Sequence, residues 1–235
     1  MNRIWFCCII DNMPYISAFI RELKTTLVVG SSALHVSLLY TIVVGTALIV
    51  LPYECLHKIL PTLFCICGTL VMQVSIRELF EEDYTCGALE QLLIQDILPE
   101  IMILMKLLAH WICVVLPICI ISMLLDFVIL GDSVRNMLGL GLALGASLLI
   151  VSFISSVGHT LVLGGEKGLV VAQVLTFPVL VSVVICFNLM LQLLRDAAAP
   201  SQAFTVLVLG ASMLCLVPLS IFFVISAVKL AVEQN

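Results

Sequence analysis

The stretch from Glu100 to Val128 reads EIMILMKLLAHWICVVLPICIISMLLDFV. A helix needs roughly 20 apolar residues to cross ~30 Å of hydrocarbon, and this run is longer than that. Apolar residues follow one another without the period-two alternation, over segments of about ten residues, that marks a barrel strand. In hydrocarbon a helix satisfies its own backbone hydrogen bonds, and an open strand does not. The stretch therefore reads as a transmembrane helix.

Working outward, similar runs cover about 33–52, 58–76, 136–163, 169–194 and 203–228, which makes six spans in all. The 235 residues are 63% hydrophobic and 11% charged, against roughly 45–50% apolar and 25% charged in a soluble domain. The predicted fold class is an all-α polytopic membrane protein, with residues 1–235 as one transmembrane domain and the lipid bilayer as its solvent. The formal net charge is −5, with much of the acid between Glu78 and Glu100. No basic patch suggests a nucleic-acid partner. Most of the ten cysteines, among them Cys65, Cys67, Cys113, Cys119, Cys186 and Cys215, sit inside apolar runs, where a thiol packs as a small hydrophobe. No Cys-x-x-Cys occurs, so neither a zinc site nor a redox motif is expected. The run Ile4–Ile10 is short for a signal peptide with a cleavage site, and insertion is expected from the first retained span.

Ahead of that span, residues 15–28 mix Phe19, Ile20, Leu23 and Leu27 with Arg21, Glu22 and Lys24. This pattern predicts an interfacial helix; a frayed terminus is the alternative. With six spans both termini share a side. If that side is cytoplasmic it holds Arg3, Arg21, Lys24, Arg77, Lys106, Lys167 and Lys229, leaving only Lys58, Arg135 and Arg195 opposite. Basic residues favour the cytoplasmic side, so both termini are expected there. The far-side loops, near Tyr53–His57, Leu130–Val134 and Asp196–Gln202, are too short for a receptor domain or a folded catalytic site.

One sizeable polar interruption, the segment 77–98, falls on the same side. Beyond Gly87, the residues Leu89, Leu92, Leu93 and Ile97 make one apolar face with Gln91 and Gln95 opposite, which predicts a short helix parallel to the membrane. Asp96 is placed to cap the next helix, with Pro99 and Glu100 in its first turn. The plainer alternative is a solvated acidic connector.

On the third span Lys106, His110, Cys113 and Pro117 share one stripe with Trp111 beside it. Intramembrane Lys and His face protein or water, so the stripe is expected to be a helix contact that Pro117 kinks. Lys106 is close enough to the membrane edge to snorkel to the surface. A haem or metal ligand role for His110, with Cys113, is the competing reading, and no second ligand is evident. Gly141 and Gly145 form a Gly-x-x-x-Gly pair that serves either intramolecular packing or a homodimer. Gly164-Gly165-Glu166-Lys167-Gly168 lacks the residue order of a phosphate loop, and no Gly-x-Ser-x-Gly nucleophile motif is present. Neither a catalytic site nor an ATPase is expected, and any transport work must be powered by a partner.

The run Arg77-Glu78-Leu79-Phe80-x-x-Asp83-x-x-x-Gly87-x-Leu89-Glu90-Gln91-Leu92-Leu93, followed by Pro99, Lys106, His110-Trp111 and Pro117, closely resembles the haem exporter B (CcmB) family of permeases. Its acidic segment and Gly-x-Leu-Glu-x-Leu-Leu theme also resemble the wider class of ABC-2 permeases. With Leu175-x-x-Pro178 in the fifth span, the similarity extends over nearly the whole chain. The N-terminal extension before Phe19 and a first span without the family's usual aromatic pair depart from it. The resemblance implies a bacterial inner-membrane subunit in c-type cytochrome maturation. Its implied partners are an ABC ATPase subunit (CcmA-like), CcmC-like and CcmD-like membrane subunits and a periplasmic haem chaperone (CcmE-like). Haem is the implied transported species, ATP acts through the partner subunit, and no cofactor is expected on the chain itself. Whether haem crosses the permease or ATP hydrolysis releases the loaded chaperone stays open on the resemblance alone. The tryptophan-rich haem motif of CcmC is absent. Glu78, Asp83, Gly87, Leu89, Glu90, Leu92 and Leu93 become candidates for docking the ATPase, and Lys106, His110, Trp111, Pro117 and Pro178 for intramembrane function or packing. An ABC-2 permease for another substrate, a haem-ligating membrane redox subunit and a purely structural assembly subunit are the alternatives.

The topology predicts that, in a cysteine-depleted background, a membrane-impermeant maleimide labels Cys86 only from the cytoplasmic side and Cys55 only from the other. The reverse pattern overturns the orientation.

Overall fold

The computed structural model describes residues 19–24, 26, 31–87, 98–131, 133–161, 168–195 and 220–228, and among them every regular element is an α-helix. Five are long: α1 Ser31–Val50, α2 Tyr53–Thr85, α3 Pro99–Leu130, α4 Val134–Thr160 and α5 Gly168–Arg195. Shorter helical stretches cover 19–24 and 220–228. Among the described residues four helices are long and apolar enough to cross a membrane, over Lys58–Thr85, Pro99–Leu130, Val134–Thr160 and Thr176–Leu194, and His35–Val50 is a shorter apolar helix. Most of the expected sixth span and half of the 15–28 helix lie outside the described residues, as do Asp96 and all of 88–97.

Local chemistry sets the helix ends. α2 starts directly after Pro52, which has an extended backbone. Tyr53–His57, expected in a far-side loop, therefore belongs to its first turns. α2 also runs past the expected end at residue 76, through the charged stretch to Thr85. Nothing between Arg77 and Thr85 breaks a helix, Arg77 and Glu81 pair at i,i+4 with 3.0 Å between Nε and Oε2, and Phe80 is buried. A helix stops where the backbone turns, and here that is Gly87, whose φ of 69° suits a residue without Cβ. The 33 residues of α2 extend about 50 Å at 1.5 Å per residue, well beyond the ~30 Å hydrocarbon layer. α3 begins with Pro99 at its first position, after Leu98, and ends at Gly131 with φ 63°. Ser133 caps α4 by accepting from the Asn136 N–H at 3.5 Å.

α2 packs against α1, α3, α4 and α5, while α4 packs against α2, α3 and α5, so these two form the centre. Reversed residue order in the cross-links shows antiparallel pairing of α2 with α3 (Ser75–His110, Asp83–Lys106) and of α2 with α5 (Thr62–Asn188, Gln73–Thr176). The interior is filled by Tyr40, Leu60, Phe64, Met72, Ile76, Phe80, Ile103, Leu107, Ile118, Leu140, Leu148 and Phe187. Outward-facing apolar residues recur every fourth position, as Ile66, Leu70 and Val74, as Leu116, Ile120 and Leu124, and as Phe177, Val181 and Ile185. Such stripes suit hydrocarbon.

Association in lipid relies on close packing more than on the hydrophobic effect, and α4 supplies it with glycine. A Cβ on Gly141 would come within 2.5 Å of Met123 Sδ, and one on Gly145 within 3.6 Å of Trp111 Cζ2. Trp111 Nε1 donates to the Gly145 carbonyl at 3.2 Å, and the Cys119 thiol to the Gly141 carbonyl at 3.7 Å. The Gly-x-x-x-Gly pair therefore serves contact between α3 and α4 inside one chain. Gly141→Ile should lower stability by about 1–3 kcal/mol through overpacking, read as a drop in thermal midpoint of the detergent-solubilised chain. Gly45→Ala, whose Cβ meets nothing within 4 Å, should leave the midpoint unchanged or higher. Equal losses in the two variants would contradict this packing.

Candidate functional site

Two polar pairs, Ser75–His110 and Asp83–Lys106, join α2 to α3. Lys106 Nζ forms an ion pair with Asp83 Oδ2, and their side chains are only 12% and 16% exposed. On the sequence alone Lys106 is expected to snorkel outward and Asp83 is a candidate for docking the ATPase. The extension of α2 brings Asp83 to Lys106, so the lysine is neutralised within the chain instead of snorkelling to the surface. Removing one member of a buried pair strands the other charge, at a cost of about 3–5 kcal/mol.

One turn farther along α3, His110 is 3% exposed. Its Nε2 lies 2.8 Å from Ser75 Oγ on α2, while Nδ1 has no hydrogen-bond partner. Either tautomer leaves Nδ1 unsatisfied: protonated it lacks an acceptor, unprotonated it lacks a donor. The nitrogen nearest α2 is engaged by the serine, which fits a helix-pinning role. Among the described residues no group of three His, Cys, Asp or Glu could hold a metal ion.

Cys113 is buried on the same face of α3 and Pro117 is half-buried, with the helix continuing through the proline. Trp111 instead turns to α4. Pro178, a candidate for intramembrane function or packing, lies inside α5 on its exposed side. On α2, Arg77, Glu78, Glu81 and Glu82 are exposed, and Asp83 is the acid that turns inward. Gly87 closes the C-terminal turn, donating from its N–H to the Tyr84 carbonyl at 3.2 Å. Leu89, Glu90, Leu92 and Leu93 lie outside the described residues.

Several polar contacts escaped the sequence reading. Thr62 Oγ1 donates to Asn188 Oδ1 at 2.6 Å, and Gln73 Nε2 to Thr176 Oγ1 at 3.1 Å. Ser122 Oγ donates to the Ile118 carbonyl at 2.8 Å, so the Tyr40 hydroxyl, 2.5 Å away, donates to Ser122. Asp126, one turn beyond Ser122, is 0% exposed. An acid within the 100–128 run was the available signal, since an ionisable residue at membrane depth marks a site by default.

With this geometry in place, the sequence profile of the CcmB protein family matches residues 13–231. The chain belongs to the CcmB family. Heme exporter protein B of Haemophilus influenzae is 28% identical over 182 residues, covering 76% of this chain and 80% of that protein. Heme exporter protein B of Pseudomonas aeruginosa is 27% identical over 132 residues, covering 56% of this chain and 59% of that protein. The CcmB match spans the α2–α3 seam, the connection after Gly87 and the central helices alike.

The Ser75–His110 contact in this CcmB chain predicts non-additive energetics. Ser75→Ala leaves both ring nitrogens unpartnered and should cost about 1–3 kcal/mol. Adding His110→Phe, which removes the polar ring, should recover part of that loss. Thermal midpoints of the two single variants and the double variant in detergent close the cycle, and strict additivity would show that the contact carries no coupling.

Proposed function

We propose that this chain is the membrane-spanning permease subunit of an ABC-type exporter that acts on haem in the maturation of c-type cytochromes. Membership of the CcmB family over residues 13–231 carries the reading, and the matched relatives are named as heme exporters. Four long apolar helices supply the membrane scaffold. The sequence offers no phosphate-binding loop, so in this reading energy enters through an ATPase subunit of the CcmA type. CcmC-like and CcmD-like membrane subunits and a CcmE-like haem chaperone complete the assembly. The chain sits in the bacterial inner membrane with six spans, an interfacial helix at about 15–28 and both termini cytoplasmic.

In this reading the projecting end of α2 and the connection that follows form the coupling element. Glu78, exposed on α2, and Glu90 accept charge-assisted hydrogen bonds from partner Arg or Lys, while Leu89, Leu92 and Leu93 fill a groove as an amphipathic helix does. Asp83 leaves that docking set, because Lys106 already holds it. Gly87 turns the chain from α2 into the coupling helix.

Burying a leucine contributes about 1.5–3 kcal/mol, so Leu92→Asp should weaken capture of the ATPase subunit by about tenfold or more. Glu90→Arg should weaken it by charge reversal, while Tyr53→Ala at the opposite end of α2 should not. Pull-down of the ATPase subunit and cytochrome c maturation in cells are the two measurements. Retention of both in Leu92→Asp and Glu90→Arg would reduce the segment to a connector.

A further inference from the structure

Four acids line the last turns of α2, and they are not equivalent. Glu78, Glu81 and Glu82 face outward, with Glu81 paired to Arg77, whereas Asp83 reaches across to Lys106. The pair straddles the connection between the helices. Asp83 stands just before the end of α2 at Thr85, and Lys106 stands two turns into α3 from Pro99.

The surroundings give this bridge an unusual share of the work. Of the contacting pairs among the five long described helices, α2 and α3 share the least extensive contact. The next polar link along it is Ser75–His110, with His110 four residues from Lys106 on the same face of α3. Apolar packing therefore does less here than in the contact between α4 and either α2 or α5. At the exit from α2 the backbone is also fixed: Cys86 N–H bonds the Glu82 carbonyl at 3.0 Å, and Gly87 adopts φ 69°. The C-terminal turn of α2 is thus fixed, on a helix tied to α3.

We propose that the Asp83–Lys106 ion pair is a positioning device that ties the two roots of the 86–98 connection together, so that force on this connection reaches the α2–α3 seam. Asp83 and Lys106 are positioning residues in this role, acting through the connection they bracket. The proposal rests on the coupling reading above. It differs in assigning Asp83 to transmission and not to docking.

The test uses the full chain in its complex in native membranes. Asp83→Asn and Lys106→Met should each lower cytochrome c maturation by about tenfold, while capture of the ATPase subunit stays within about twofold of the parent. Lys106→Arg should retain maturation, and the exchange Asp83→Lys with Lys106→Asp should recover it to well above either single variant. Undiminished maturation in both single variants, or an exchange no better than they are, would overturn the proposal. So would loss of the single variants from the membrane, which would assign the pair to assembly, or loss of ATPase capture, which would assign Asp83 to docking. Because Leu92→Asp acts on capture and these variants act after it, failure of the positioning role leaves the docking reading standing.

Discussion

An ammonium group two turns inside an apolar helix has to find an anion, and at Lys106 that anion is Asp83. Meeting this requirement shapes much of the described chain. Asp83 can reach Lys106 only if α2 stays helical through the charged stretch after Arg77, so the helix must project beyond the hydrocarbon layer. Phe80, buried within the same turns, holds the extension against the bundle. The turn at Cys86–Gly87 then follows within one turn of the residue tied to α3. The ion pair thus links the length of α2 to its packing on α3.

Away from this pair the bundle is held by small residues and single hydrogen bonds. Each interhelical hydrogen bond in a membrane protein is worth only about 0.6 kcal/mol on average, so Thr62–Asn188, Gln73–Thr176, Tyr40–Ser122 and Ser75–His110 act as register pins. Bulk adhesion comes from close approach, as where Gly68 faces Leu148 and Gly141 faces Met123. This division of labour leaves α4 tightly set in the centre. The α2–α3 seam depends more on polar pairs, which can exchange partners at lower cost than interlocked side chains can separate.

The apolar runs made α3, α4 and α5 legible to within a few residues, because length and hydropathy decide a span almost alone. The end of α2 was not legible in the same way. Charges at Arg77, Glu78, Glu81 and Glu82 read as the start of a loop, although charged residues at i,i+4 spacing also suit a helix leaving the membrane. The shared face of Lys106, His110, Cys113 and Pro117 followed from 3.6-residue periodicity, but its opposite partners, Asp83 and Ser75, required the tertiary pairing of two helices. Gly141 and Gly145 illustrate the same limit: the spacing announced a close contact without saying which helix would fill it. Asp126 was missed although an acid in an apolar run is visible in one dimension. Pro178 showed the reverse, since a motif position in the sequence turned out to face outward.

In the proposed function this chain works as a permease powered by a separate ATPase. The most direct test is to purify the tagged chain from native membranes with its partners and measure ATP hydrolysis. Associated subunits are identified, and absorbance is recorded before and after the ATPase subunit is stripped. Hydrolysis should co-purify with the chain, depart with an ABC-type ATPase subunit, and leave an isolated chain without stable haem absorbance. A chain that purifies without any ATPase, or that alone retains a stable haem spectrum dependent on His110, would contradict this function.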